Sequence, residues 1–249
     1  NMVPASARLA DNLQIRLGNA LKENKEGLSK VFDGFKKYIL FNVKGVNPEK
    51  FTAAVFKIEG SNAEVENQRE NLCTLSKKHG GILAGESTGK SGYLATMVIA
   101  YIRELIFTQN VLGETMETAV PWSKINQVKS EAHKLIVQLH KENNLPGKPF
   151  FTSRISKIYH TGVCMYNTIA MSFEGIENPE DVFTSIEHKM RENFILNGGS
   201  ISHHHGVGKL RKDFMKDTIS ESSIEMVRGI KQTQDPKNIF GVKNNIVLE

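Results

Sequence analysis

The residues best suited to chemistry crowd into one run, GGSISHHHGVGKLRKDF, from Gly198 to Phe214. Imidazoles give and take protons near neutral pH. The GVGK that follows offers permissive backbone and a cation, Lys209, to an anionic substrate. A metal site is the first alternative. If the run were a strand, His203 and His205 would share one face and His204 would point to the other. Two ligands make a poor zinc site, and the sequence has no clustered His, Cys or carboxylate set to supply a third, so no metal is expected. The bland readings are solvated surface histidines or the remains of a purification tag, but three residues are short for a tag and these are internal.

A second run, AGESTGKSGY from Ala84 to Tyr93, fits a phosphate-binding pattern in which Lys90 meets phosphate oxygens and the Ser91 hydroxyl meets magnesium. Ala84 stands where the stricter pattern has glycine. The acidic residue that should hold the metal has only a weak candidate, Glu59 at the end of AAVFKIEG. A polar turn is the competing reading.

These residues need a frame. TAAVFKIEG alternates like a strand, and SNAEVENQRENLCTLSKKHGG reads as a helix capped by Ser61 or Asn62 and stopped by glycines. GILAG then reads as a short strand and YLATMVIAYIRELI as a helix. A second strand-helix-strand unit runs from ETMETAV through PWSKINQVKSEAHKLIVQLHKENN, where Pro121 and Ser123 signal a helix start, to PFFTSRISKIYH. GVCMYNTIAMSFEG follows as a hairpin partner turning at Thr161 and Gly162, and NPEDVFTSIEHKMRENFILNGG is a helix opened by Pro179 and closed by Gly198-Gly199. The expected class is α+β, a largely antiparallel sheet with flanking helices, followed by a mainly helical C-terminal segment.

The 249 residues, 39% of them hydrophobic, suffice for one large domain or two small ones. A net charge of +5 permits attraction to phosphorylated ligands or anionic membranes without demanding either; KLRK, at 209 to 212, reads equally as a solvated basic face. Cys73 and Cys164 have neither metal nor redox spacing and are compatible with a reducing compartment. No apolar run is long enough to span a bilayer. NMVPASARLADN has no secretory pattern, and VLE is no address signal. A chain that opens on Asn is expected to be part of something longer.

NGGSISHHHGVGKLRK, with DPKNIF downstream, resembles the C-terminal part of the alkyldihydroxyacetonephosphate synthases, ether-lipid enzymes of the vanillyl-alcohol-oxidase-like flavoprotein superfamily. VPASARLADN, GYLATMVIAYIREL, VLGETMETAVPW and GVCMY extend the likeness over nearly the whole chain. Flavin dehydrogenases of the superfamily, such as those for D-lactate, usually read Gly-Glu-His-Gly where His203 and His204 replace the first two residues here.

The resemblance implies a ferredoxin-like substrate-binding cap over residues 1–197, a segment 198–249 that closes the flavin site, and an FAD-binding domain upstream. It makes AGESTGKSGY a turn leading into the helix that carries Arg103. It assigns Tyr166 as catalytic acid/base. A phenol is a weak base at neutral pH, so His203, His204 and His205 are expected to assist it. Arg103, with its planar bidentate guanidinium, and Lys209 would hold the substrate phosphate. Arg8 matches an arginine linked to activity, with an architectural salt bridge as the plain explanation. The tail NIFGVKNN, with Asn244 and Asn245, matches another activity-linked segment but departs at Val242 and Lys243. The implied reaction replaces the acyl group of acyl-dihydroxyacetone phosphate with a fatty alcohol, using FAD without net redox change. A homodimer, peripheral membrane contact and peroxisomal residence come with the resemblance; a nucleic-acid partner does not. The alternatives are an FAD-dependent oxidase or dehydrogenase of a small hydroxy acid such as D-lactate, and a nucleotide-binding module using Ala84 to Ser91.

Overall fold

The computed structural model describes residues 3–20 and 39–241. Five strands, β1 (Ser6–Ala10), β2 (Ala53–Lys57), β3 (Val111–Pro121), β4 (Phe150–Ile158) and β5 (Gly162–Ser172), form an antiparallel sheet in the order β2-β1-β4-β5-β3. The helices are α1 (Asn12–Ala20), α2 (Asn62–Lys78), α3 (Glu86–Phe107), α4 (Ile125–Glu142), α5 (Pro179–Leu196) and α6 (Glu221–Gln234). The expected α+β class is the one found. The chain forms two compact units: residues 1–106 with 152–157, and residues 107–151 with 158–249.

In the first unit β1 pairs antiparallel with β2, Ser6 opposite Lys57 and Ala10 opposite Ala53. Asp11 ends β1 and caps α1. Its carboxylate accepts the Gln14 N–H at 3.0 Å, the Thr152 hydroxyl at 2.5 Å and the Ser153 N–H at 2.9 Å, so one buried acid ties helix start to strand. Helix α2 starts where the sequence predicts: Ser61 and Glu64 form a capping box, which satisfies two otherwise orphaned donors.

Two expectations fail in this unit. GILAG is no strand: residues 81–85 are exposed and non-regular, and Gly80 and Gly85 adopt left-handed backbone, with φ of +75° and +84°, which interrupts an extended run. AGESTGKSGY is no turn and no phosphate loop. Helix α3 has already begun at Glu86, with the Thr88 hydroxyl donating to the Ala84 carbonyl at 2.9 Å. Lys90 therefore lies inside a helix, without the preceding strand and open loop that cradling a phosphate requires.

The second unit is built on β3 and β5, paired in register from Val111 opposite Ser172 to Pro121 opposite Gly162. Alternation gives the pair two faces. Met116, Val120, Val163, Met165, Ile169 and Met171 point one way and are buried with Val128, Ala132, Ile136 and Leu139 of α4 and Ile186, Met190 and Phe194 of α5. Each such side chain contributes about 1.5–3 kcal/mol. Glu187 and Arg191 are a buried pair one turn apart, 3.5 Å between charged atoms; burial pushes the Glu187 carboxyl up, and Arg191 works against that rise. The other face carries Thr115, Glu117, Cys164 and Tyr166. The hairpin into β5 turns at Thr161 and Gly162 as expected, closed by the Tyr159 N–H on the Gly162 carbonyl at 2.8 Å.

How the chain reaches that second face depends on two glycines. Gly198 ends α5 with φ of +86°, a left-handed stop. Gly199 passes so close to β3 that a Cβ there would lie 2.3 Å from the Thr118 hydroxyl oxygen and 3.0 Å from the Phe194 carbonyl oxygen. Ser200 then pairs with the β3 edge: its N–H donates to the Ala119 carbonyl at 2.9 Å, and its hydroxyl accepts the Ala119 N–H at 2.8 Å. Among the described residues, no helix is long and apolar enough to cross a membrane.

Candidate functional site

Past Ser200 the chain curls into an irregular loop rather than a strand, so the expectation that His204 must point away from its neighbours does not hold. Three consecutive backbone N–H groups aim at a single atom, Oε1 of Glu117: His203 at 2.7 Å, His205 at 2.6 Å, and His204 between them. The Ser202 hydroxyl donates to the same oxygen at 2.9 Å. Successive amides arranged this way form an anion nest, and here the anion is a strand carboxylate that is 1% exposed. Burial by itself would raise its pKa; the amides of His204, His205 and His203 and the Ser202 hydroxyl outweigh burial and hold it at about 2. Glu117 is therefore ionised at neutral pH, and its charge is what shapes the histidine loop.

The other carboxylate oxygen, Oε2, contacts His204 Nδ1. His204 Nδ1 also lies 3.1 Å from His203 Nδ1, and His203 Nε2 meets the hydroxyl of Tyr159. Tyr166, directly opposite Glu117 in the β3–β5 register, stands edge-on to His205 with ring centroids 5.3 Å apart, and 6.3 Å from the His204 ring. Its hydroxyl donates to Thr115 Oγ1 at 3.1 Å. Burial lowers the His205 pKa, with Glu117 opposing and His204 and Arg211 reinforcing the shift, so this imidazole is neutral at pH 7. On the far side of the loop the buried Arg211 donates to the Gly206 carbonyl at 3.3 Å. A carboxylate thus grips the loop's amides and a guanidinium grips its last carbonyl.

The sequence offered no third ligand for a metal, yet the fold supplies carboxylate and thiol neighbours. Ligand atoms of Glu117, His204 and His205, and those of Glu117, Cys164 and His203, lie within 4.8 Å of one another. A cation could use that spacing only by displacing contacts already made, since Oε1 accepts four donors and Oε2 faces an imidazole nitrogen. The arrangement as it stands holds and orients protons.

Of the residues singled out in the sequence, Tyr166, His203, His204 and His205 come together. Lys209 belongs to the same unit and is exposed. Arg103 and Arg8 belong to the first unit. Arg103 is exposed on α3. Arg8 has its guanidinium 5.7 Å from the centroid of Tyr93, a cation–π contact where a salt bridge was the plain expectation. Asn244 and Asn245 lie outside the described residues. Sequence reasoning missed Glu117 and Tyr159. The signal for Glu117 was its place mid-strand in GETMETAV, where a charge on a buried run demands donors.

A family model described as FAD linked oxidases, C-terminal domain, matches residues 1–243. Among curated proteins, the chain is 35% identical over 244 residues to the alkyldihydroxyacetonephosphate synthase of Caenorhabditis elegans, covering 98% of this chain and 41% of that one. It is 26% identical to the synthase of Dictyostelium discoideum, over 96% of this chain and 38% of the relative, and 27% identical to that of Trypanosoma brucei brucei, over 95% and 38%. The chain thus spans about two fifths of the length of the curated relatives it matches. A solved alkyldihydroxyacetonephosphate synthase superposes with a TM-score of 0.67 at 21% identity, covering 96% of this chain and 40% of the solved one, a likeness of fold. By its sequence over nearly its whole length, the chain belongs to the FAD-linked oxidase family as that family's C-terminal domain.

Proposed function

We propose that the full-length protein is an FAD-dependent transferase of the alkyldihydroxyacetonephosphate synthase type, exchanging the acyl group of acyl-dihydroxyacetone phosphate for a fatty alcohol. The observation that carries this reading is the gathering of Tyr166 with three imidazoles on a loop held by a buried anion, in a chain similar to such synthases throughout.

The donor set fits a flavin partner: phenol and imidazole groups are grouped in one place, and the His204 side chain remains half exposed. FAD, when bound, supplies the electron-accepting ring chemistry and ends each cycle in its starting oxidation state. The chain's own residues have the remaining tasks. Tyr166 takes and returns the proton on the substrate carbon, with Thr115 orienting its hydroxyl. The imidazoles move protons to and from that phenol, and Glu117 keeps them in place. Arg103 and Lys209 hold the phosphate, and Arg8, Asn244 and Asn245 are activity-linked positions in the same proposal. The cap, 1–197, and closing segment, 198–249, are divisions by role that cut the chain differently from its compact units. Peroxisomal residence, a homodimer and peripheral membrane contact complete the proposal.

The test is an exchange assay on the full-length flavoprotein, with Tyr166→Phe beside the wild type. Exchange of acyl for alkyl, lowered about 100-fold or more in the variant, is expected. Normal turnover in the variant would remove Tyr166 from proton transfer. Bleaching of the flavin by D-lactate with no alkyl exchange would move the protein to the hydroxy-acid oxidases.

A further inference from the structure

A second phenol stands at this site with a defined hydrogen-bonding role. Tyr159 lies in the β4–β5 turn, its N–H on the Gly162 carbonyl at 2.8 Å and its own carbonyl accepting the Trp122 indole N–H at 3.1 Å. The backbone that carries the ring is thus fixed at both ends. Its hydroxyl meets His203 Nε2, and the ring is 42% exposed by residue.

The direction of that hydrogen bond follows from the chain of contacts behind it. Glu117 is ionised and its Oε2 faces His204 Nδ1, so that nitrogen carries a proton. His203 Nδ1 lies 3.1 Å from that nitrogen and must then present its lone pair, because two N–H groups facing each other there would repel. A neutral imidazole with its lone pair on Nδ1 carries its hydrogen on Nε2. His203 therefore donates to the Tyr159 oxygen, and the phenol's own hydrogen is left to point outward. A phenol that accepts an N–H while its O–H is unengaged by that contact is arranged to give a proton away, because the same N–H then stabilises the phenolate.

We propose that Tyr159 is a second acid/base of this site, serving the two oxygen-centred proton steps of the exchange, while Tyr166 serves the carbon-centred one. The assignment rests on the transferase reading above. As the bond between the substrate carbon and the acyl oxygen breaks, its electron pair goes to that oxygen, and the Tyr159 proton goes there too, releasing a fatty acid. The resulting phenolate is held by the His203 N–H. When a lone pair of the alcohol oxygen forms the new bond to carbon, the alcohol's O–H breaks and its proton passes to the phenolate, which restores Tyr159. One proton leaves the tyrosine and one returns, and no oxidant or reductant is needed.

The two steps need this help unequally. A carboxylate is a stable leaving group with or without an acid, whereas an alcohol holds its proton tightly and gains much from a base. In the full-length flavoprotein, Tyr159→Phe is expected to lower alkyl transfer from a fatty alcohol about 10- to 100-fold in kcat, with KM for the acyl substrate unchanged. Exchange of labelled fatty acid into that substrate, which reports the first half-reaction alone, should stay within about threefold of wild type. A fluorinated alcohol, which gives up its proton more readily, should recover most of the lost rate. His203→Ala, which keeps the Tyr159 phenol but removes its donor and one of the imidazoles that serve Tyr166, should slow both half-reactions, and adding Tyr159→Phe to it should slow alkyl transfer little further. Flavin absorbance and melting temperature matched to wild type establish that each variant is folded. In Tyr159→Phe, equal loss of both half-reactions, unchanged alkyl transfer, or no recovery with the fluorinated alcohol would overturn the role of Tyr159. Absence of both exchanges in the wild type would instead overturn the transferase reading beneath it.

Discussion

The two faces of the β3–β5 pair obey opposite rules. On the helix-covered face, Met116, Met165, Ile169, Met190 and Phe194 are held by area and shape, interactions without direction that tolerate exchange of one apolar residue for another. On the other face a single carboxylate organises everything above it through directed bonds to Ser202, His203, His204 and His205. Stability on the first face is spread over many residues, whereas on the second it is concentrated in one. That difference teaches where each kind of substitution should hurt.

The sharpest break is Glu117→Ala. It leaves three part-buried loop amides without their acceptor and should cost about 3–5 kcal/mol, read as a fall in the urea midpoint. Met190→Ala on the packed face, at 0% exposure as fully enclosed as Glu117, should cost about 2–5 kcal/mol. The discriminating readout is the flavin site of the full-length protein: the first variant should lose transfer activity at temperatures where it is still folded, and the second should not. Equal activity losses in the two folded variants would erase the distinction between the faces.

Acid separates the faces without mutation. In the folded chain Glu117 is held at about 2, against an ordinary carboxyl value of 4.5. An unfolded chain therefore binds its proton first as pH falls, and the stabilisation, about 3 kcal/mol in full, is present above pH 4.5 and disappears as pH falls through the folded value. His205 works in a higher window: its folded pKa is lowered, so its unfolded form takes up a proton first and stability declines as pH drops below the ordinary histidine range. Glu117→Gln should remove the lower of these two phases, so that wild type and variant differ at pH 7 and converge near pH 2. A gap that stays constant over that interval would show that the carboxylate's charge does not organise the loop.

What could be read in the sequence was whatever is set by near neighbours. The Ser61–Glu64 capping box, the Pro179 start and Gly198 stop of α5, and the alternation along GVCMYNTIAM all announce structure within a few residues, and all are found. GILAG misled because an apolar triplet between glycines satisfies a strand pattern locally while no strand among the described residues pairs with it; Ile82 and Leu83 are each 47% exposed. Residues Glu86 to Gly92 misled because a degenerate phosphate pattern and a glycine-containing helix start share composition. The candidate site was legible as histidines from residue types and as Tyr166 from the resemblance, but its centre was not. Glu117 meets the His204 amide across 87 positions and Tyr159 meets His203 across 44, and no local rule says which of 27 acidic residues a distant loop will close upon.

The smallest effect tests the packed face at one buried amide. Asn167 lies on it at 0% exposure, between Met165 and Ile169 in sequence register, and neither its amide nitrogen nor its amide oxygen has a hydrogen-bond partner among the described residues. A buried amide without partners costs about 1–3 kcal/mol against an apolar group of similar volume. If this face is governed by area and shape alone, Asn167→Leu should therefore stabilise the fold by about 1 kcal/mol, a rise of a few degrees in melting temperature, after allowing for imperfect repacking around the branched side chain. The same exchange of polar for apolar on the opposite face, at Glu117, is the most damaging change considered. A loss of stability in Asn167→Leu would mean that the amide is bonded to an enclosed water rather than left without partners.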